Sequence, residues 1–281
     1  MRQNYYPFLM LSAMLVVATP AAATPFQFST GDINNLIATA SRPSSAGKIE
    51  IESADDFVLT QDTSINQATF TGLLTGSGIS LADIGNVRVE IYRVFPKDST
   101  NPPSGNVPTR VNSPSDIAFA ERDTASSNLS STPLVLNPSF TAANSVLNGI
   151  NPIPNQTTGG EGPVTGQEVQ FNVDFTTPFV LPADHYFFVP QVEVTNLTGE
   201  FLWLSASRPI VTPDTPFAPD LQSWIRNENL APDWLRIGTD IVGGTTFNAA
   251  FSLDGTTVPE PSTIVLLLGG LSLFPWVSRR R

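Results

Sequence analysis

The sequence predicts an all-β protein, and three observations lead to this fold class. Apolar and polar residues alternate with the period of a half-buried strand at residues 87–92, 169–175 and 247–253. No long amphipathic helix pattern separates these segments, and 25 prolines and 19 glycines without a collagen-like repeat indicate many turns. We therefore expect an antiparallel β-sandwich of the jelly-roll kind, with an immunoglobulin-like sandwich as the alternative.

Shorter patterns predict the remaining regular elements. Further strands are expected at residues 48–52, 56–59, 64–73, 186–194 and 201–207. One short helix is expected near residues 219–226, because Leu221, Trp224 and Ile225 have the spacing of one helix face. Asp220 is a suitable residue to cap its first turn.

Residues 97–166 interrupt the strand pattern with a sequence rich in Pro, Ser, Asn and Gly. A segment of this length is too long for an ordinary connection between strands. We expect a loop-rich insertion that carries a strand near residues 116–121 and a helical turn near residues 142–147. The sequence leaves open whether this insertion has a function of its own.

The N-terminal segment has the composition of a secretory signal peptide, which we assign to residues 1–23. Arg2 provides a positive charge, residues 8–18 form an apolar stretch, and Ala21 and Ala23 are small residues suited to a cleavage site. Signal peptidase is therefore an expected partner, and cleavage would leave Thr24 as the first residue of a body that extends to residue 257.

The C-terminal segment, residues 258–281, combines a short motif, an apolar run and a basic tail. The motif consists of Val258, Pro259, Glu260, Pro261 and Ser262. Residues 264–277 are predicted to form a hydrophobic helix, and the tail consists of Arg279, Arg280 and Arg281. Basic residues at both outer ends of the chain place the body across the membrane under the positive-inside rule.

This arrangement resembles the C-terminal sorting signal of the PEP-CTERM family of exported bacterial proteins. The resemblance implies recognition by a membrane-embedded exosortase and cleavage near the Pro-Glu-Pro motif. It also implies a location at the cell surface or in an exopolysaccharide matrix. We expect the protein to contact the membrane only through its terminal segments, before processing.

Charge and composition exclude several classes of function. The formal net charge of −11 argues against binding to nucleic acid, which needs clustered cations. The absence of cysteine excludes disulfides, thiol catalysis and cysteine-based metal sites. His185 is the single histidine, and its aromatic neighbours indicate a packed side chain and not a catalytic one.

No residue is assigned a catalytic role, and we expect a protein that is not an enzyme. The alternative is a glycan-active hydrolase, which needs two carboxyl groups on either side of the scissile bond. Candidate pairs are Asp55 with Asp56, Glu50 with Glu52, and Asp233 with Asp240.

Binding of a ligand is the more favoured hypothesis. Trp203 and Trp224 are expected in the core, whereas Trp234 and Arg236 lie among turn-forming and polar residues and are the candidate ligand-binding residues. No cofactor is required by the sequence. Calcium is the one candidate ion, with possible ligands at Asp214, Asp220, Asp233 and Asp240.

These observations together predict an exported cell-surface or matrix protein with a structural or exopolysaccharide-binding role. The membrane anchor is expected to be transient.

Overall fold

The computed structural model describes residues 22–45, 47–100, 105–150, 157–207, 220–244 and 246–259. The chain divides into two compact units, one of residues 24–258 and one of the terminal segments 1–23 and 259–281. All that follows concerns the first unit, which we call the body. Several predicted features lie outside the described ranges: Arg2, the apolar stretch 8–18, Ala21, Asp214, residues 260–262, the helix at 264–277 and the arginines at 279–281.

The described part of the body contains fourteen β-strands. They are β1 (Pro25–Ser29), β2 (Ile33–Ala40), β3 (Ile51–Leu59), β4 (Thr63–Thr75), β5 (Ile84–Arg93), β6 (Ala120–Asp123), β7 (Ser130–Ala142), β8 (Asn144–Val146), β9 (Val164–Leu181), β10 (Asp184–Val194), β11 (Glu200–Ala206), β12 (Trp224–Asn227), β13 (Leu235–Arg236) and β14 (Phe251–Thr257). The all-β prediction is confirmed.

The strands form two sheets. In the eight-stranded sheet, one edge of β4 pairs with β9, and β9 pairs in turn with β7. The other edge of β4 is shared by β14 and β11, which continue to β1 and to β2. The six-stranded sheet has the order β13-β12-β3-β10-β5-β6. All of these pairings are antiparallel, and only the short β8 adds to β2 in parallel.

The main core lies between the two sheets and is rich in aromatic side chains. Phe188 of the six-stranded sheet stacks on Phe251 of the eight-stranded sheet, with ring centroids 4.9 Å apart. Phe70 and Phe171 stack at the same distance across β4 and β9. β4, β9 and β14 carry polar side chains on the face away from this core, whereas β10 is buried on both faces, because Phe187 and Val189 pack in a second cluster with Trp224 and Trp234.

The helix predicted near residues 219–226 is not present at residues 220–226. Trp224–Asn227 forms β12, which pairs with residues 51–54 of β3. Helical spacing and a short strand are hard to separate in so short a segment, and pairing with the edge of β3 decides the outcome. The described helical segments are instead a 3-10 turn at Leu81–Asp83 and a π-helical turn at Ile237–Val242.

The loop-rich description of residues 97–166 is wrong for most of the segment after residue 119. This part contains β6, β7, β8 and the start of β9, and β8 occupies the place of the helical turn predicted at residues 142–147. The strand expected near 116–121 begins later, at Ala120. β7 escaped prediction because it is an edge strand, where Pro133, Pro138 and polar residues are tolerated.

No helix in the described ranges is long and apolar enough to cross a membrane.

Candidate functional site

A polar groove crosses the outer face of the eight-stranded sheet. It spans β14, β4, β9 and β7, is closed at one end by the turn between β1 and β2, and has a volume of about 360 Å³. Its floor carries Thr69, Thr71, Glu168, Gln170 and Ser252. We call this feature the sheet groove.

Strand register explains why these side chains meet. Ser252 of β14 pairs with Thr69 of β4, and Thr71 pairs with Gln170 of β9. Residues two apart on a strand share a face, so Glu168 lies on the same side as Gln170. The intervening residues Phe70, Phe171 and Phe251 point the other way, into the core. The strands that build the core therefore also build the groove.

The floor of the sheet groove has free hydrogen-bonding capacity. The hydroxyl groups of Thr69 and Ser252 lie 2.6 Å apart and bond to each other. By contrast, the side chains of Glu168 and Gln170 have no hydrogen-bond or ion-pair partner among the described residues. Glu168 is only 8% exposed, and this burial raises the pKa of its carboxyl group.

A second polar cluster lies on the outer face of the six-stranded sheet. Glu52 of β3 accepts hydrogen bonds from the Arg226 guanidinium, with Nη2 at 3.1 Å, and from the Tyr92 hydroxyl at 2.6 Å. Glu50 accepts a bond from Gln191 Nε2 at 3.0 Å, and Glu90 of β5 completes the group. We call Glu50, Glu52 and Glu90 the glutamate cluster.

The environment of the glutamate cluster favours the protonated form of two of its carboxyl groups, those of Glu90 and Glu50. Burial raises the pKa of Glu90 well above its ordinary range, and the neighbouring charge of Glu52 raises it further. Burial followed by the charge of Glu52 also raises the pKa of Glu50. Glu90 Oε2 and Gln191 Oε1 are buried without a hydrogen-bond partner.

The predicted ligand-binding residues, Trp234 and Arg236, both bond to other residues of the protein. Trp234 is 0% exposed, and its ring nitrogen donates to the Ser115 carbonyl at 3.1 Å. Its ring also packs beneath the guanidinium of Arg226, 4.3 Å from the ring centroid. Arg236 donates to Asp240 at 2.7 Å. The Trp234 ring therefore offers no surface on which a sugar could stack in this structure.

Trp203 and Trp224 are both about 1% exposed and lie in the core as expected.

The three carboxylate pairs proposed from the sequence differ in whether their members lie close together in the structure. Asp55 and Asp56 are neighbours on β3 and point to opposite faces, so they do not form a catalytic pair. Asp233 binds Arg110, whereas Asp240 binds Arg236. Only the pair of Glu50 and Glu52 lies in a common cluster.

The calcium candidates do not form a recognisable ion site in the described ranges. Asp233 and Asp240 are each paired with an arginine, and Asp220 is 3% exposed. No group of three or more histidine, cysteine, aspartate or glutamate side chains suited to a metal ion occurs among the described residues. Asp214 lies outside those residues.

His185 packs inside the protein, as its aromatic neighbours predict. It is 1% exposed, and its Nε2 atom lies 2.6 Å from Asp56.

Sequence reasoning missed Glu168, Gln170, Glu90 and Arg226. A signal for Glu168 and Gln170 was present in the sequence. Both are polar residues that alternate with apolar ones in and next to the strand predicted at 169–175. What the sequence did not contain was the pairing of β4 with β9, which brings them beside Thr71.

The C-terminal resemblance is confirmed by comparison with known protein families. Residues 257–281 match the family model of the PEP-CTERM protein-sorting motif. The chain thus carries a sorting signal that implies an exported, cell-surface-associated protein processed by an exosortase. Comparisons with curated proteins and with solved structures each found no match.

Proposed function

We propose that the body is a non-enzymatic carbohydrate-binding module, which binds exopolysaccharide in the sheet groove after export. The observation that carries this proposal is the groove floor, where Glu168 and Gln170 have no partner among the residues that the structure describes. Sugars present several hydroxyl groups in a row, and each can exchange hydrogen bonds with such side chains. No cofactor is part of the proposal.

The walls of the groove suit the apolar faces of sugar rings. Leu136 on β7 and Ile33 on β2 line it beside the polar floor. Leu136 is 48% exposed, so about half of its side chain is accessible to a ligand in the groove. A ligand that covers it would gain free energy from burial of apolar surface.

Strand order supports the proposal by analogy. β2-β11-β4-β9 and β3-β10-β5-β6 are two rows of four neighbouring strands, and successive strands from β2 to β5 alternate between the sheets. We assign this order to the jelly roll, an architecture that includes lectin domains. Fold analogy alone does not establish function, so the groove chemistry carries the argument.

The destination of the protein is consistent with this ligand. The sorting signal implies export and exosortase processing. We propose that the processed body remains at the cell surface or in the surrounding matrix, where polysaccharide is the abundant polymer.

Binding to labelled exopolysaccharide tests the proposal. The exported form of the full chain, produced in a host with an exosortase, is titrated with polysaccharide and the bound fraction is measured by fluorescence anisotropy. We expect Gln170→Ala to weaken binding roughly fivefold, because about 1 kcal/mol is lost with one hydrogen bond. Gln61→Ala, an exposed residue outside the groove, is the matched control.

An exported protein that retains no polysaccharide would contradict the proposal. Equal binding by the Gln170 and Gln61 variants would remove the sheet groove as the site.

A glycan-active hydrolase is the second candidate function, centred on the glutamate cluster. The favouring observation is that Glu90 and Glu50 have raised pKa values beside Glu52, which is ion-paired with Arg226. Neighbouring carboxyl groups in different protonation states are the pattern of an acid and base pair. Release of reducing ends from polysaccharide, abolished in Glu90→Gln and retained in Gln61→Ala, would support this candidate.

A further inference from the structure

We propose that the sheet groove selects glycans that carry free amino groups, such as hexosamine chains, over glycans that carry uronic acids. This inference rests on the carbohydrate-binding function proposed above and adds the chemical class of the ligand.

The first argument is the position of Glu168 at the floor of the groove. The residue is only 8% exposed, its carboxyl oxygens open onto the groove, and they have no donor partner among the described residues. The surrounding strands remove part of the hydration of this carboxyl group, while its oxygens stay accessible to a donor in the groove. A ligand that brings an ammonium group to this position replaces the lost hydration with a charge-assisted hydrogen bond.

The second argument is the charge of the groove lining. Asp32 lies exposed at the end formed by the turn between β1 and β2, so the groove carries two acidic residues. Among the described residues that line it, none is lysine, arginine or histidine. A uronate in the groove would therefore face two carboxylates and no compensating cation, which disfavours its binding.

The third argument is that other acidic side chains on the same face already have partners. Asp174 accepts a hydrogen bond from Gln67 at 2.7 Å, and Asp254 accepts one from Gln27 at 3.0 Å. These pairs lie on the strands that flank the groove. Glu168 differs from them because its charge is left for a ligand, which makes it the specificity-determining residue.

The groove volume sets the length of the ligand. About 360 Å³ lies near the lower end of the usual range for small-molecule sites, roughly 300–1,000 Å³. The groove therefore contacts a short segment of a chain and leaves the rest of the polymer in solvent.

Calorimetric titration of the exported full-chain protein tests the inference. The probes are three oligosaccharides of equal length: a glucosamine oligomer with free amines, its N-acetylated form, and a uronic acid oligomer. We expect the free-amine oligomer to bind roughly tenfold more tightly than the acetylated one, with weaker binding still for the uronate.

Two groove variants and one control sharpen the test. Glu168→Gln should abolish the preference for the free amine and leave binding of the acetylated oligomer within about twofold of the original protein. Gln170→Lys should reverse the order and favour the uronate. Glu121→Gln on β6 removes the same charge from the other sheet and should leave all three affinities unchanged.

Each outcome bears on a different proposal. Equal affinity for free-amine and acetylated oligomers would overturn the inference and leave carbohydrate binding intact. Absence of binding to every glycan would overturn carbohydrate binding itself. If Glu168→Gln failed to fold, as judged by circular dichroism, the Gln170→Lys variant would decide the question, because that side chain is half-buried and has no hydrogen-bond partner among the described residues.

Discussion

Individual buried ionisable residues in the body have sharply different surroundings. Asp55 accepts hydrogen bonds from the Ser223 hydroxyl and the Ala249 amide, both at 2.9 Å. Neither of these two donors carries a positive charge. Burial, followed by the charge of Asp56, raises the pKa of Asp55 well above the ordinary value. Arg226 instead has a carboxylate partner in Glu52, and its guanidinium also contacts the adjacent rings of Tyr92 and Trp234.

The raised pKa of Asp55 predicts that the native state loses stability as the pH rises. The folded protein binds this proton more tightly than the unfolded chain does, so the contribution is complete below pH 4 and is lost as the pH passes the folded pKa. In Asp55→Asn the side-chain oxygen can still accept from the Ala249 amide, and the side-chain NH2 can donate to the Ser223 hydroxyl, which then donates to the Phe247 carbonyl. We expect its melting temperature to exceed that of the original protein by a few degrees at pH 8, with a smaller difference at pH 5.

Thermal melts at the two pH values check this, with the exposed Glu121→Gln as the control. A loss of stability in Asp55→Asn that is the same at both pH values would contradict the assignment.

Arg226 predicts a large cost for breaking a buried ion pair. Arg226→Met leaves the Glu52 carboxylate buried without its cation, and we expect a loss of about 3–5 kcal/mol in the free energy of unfolding. Addition of Glu52→Gln should restore part of this loss. Lys97→Met breaks a more exposed pair with Asp184 and should cost about 1 kcal/mol or less. Urea unfolding of the four proteins measures the differences, and equal costs for the two single variants would contradict the argument.

At the scale of elements, β1 and β14 close one edge of the eight-stranded sheet. Pro25 pairs with Thr256, and the Thr257 amide donates to the Thr24 carbonyl at 2.9 Å. Both ends of the body therefore lie on neighbouring strands. Cleavage after Ala23 would leave β1 complete, since the strand begins at Pro25.

The packing of β1 predicts that its side chains stabilise the body. The Phe28 ring lies 5.3 Å from that of Phe251 and 6.1 Å from that of Phe57. We expect Phe28→Ala to reduce the free energy of unfolding by roughly 2 kcal/mol, less than for a fully buried phenylalanine. Leu197→Ala, at a residue that is 70% exposed, should change it by about 0.5 kcal/mol or less. Denaturant titration that finds equal effects would show that β1 does not stabilise the body.

At the scale of the whole molecule, the sorting motif begins where the body ends. β14 finishes at Thr257, and the family match covers residues 257–281. Cleavage near the motif would therefore remove no strand of either sheet.

This boundary predicts the mass of the exported protein. In a host with an active exosortase, we expect intact-mass spectrometry to find a chain that starts at Thr24 and lacks residues 274–281. Replacement of Pro259 and Pro261 by alanine should cause the uncleaved precursor to accumulate. Thr256→Ala, just outside the matched residues, should be processed normally, and an exported chain that keeps its C-terminal arginines would contradict the prediction.

Some strands of the body could be predicted from the sequence, and others could not. The strand alternation around residues 87–92 and 169–175 recovered parts of β5 and β9, because side-chain direction on a strand depends only on neighbouring residues. The same reasoning failed for β7 and β12. Neither segment has a clear alternation of apolar and polar residues. Each forms a strand because it pairs with a neighbouring strand, β7 with β9 and β12 with β3.

The sequence by itself determined the all-β class and the sorting segment, because a period of two residues and a linear motif are both local properties. The tertiary structure alone decided which polar residues meet. Thr71, Glu168 and Ser252 are far apart in the chain, and only the pairing of β4 with β9 and β14 brings them into one groove. Burial likewise decided the role of Trp234, since whether a ring faces solvent depends on every element packed around it.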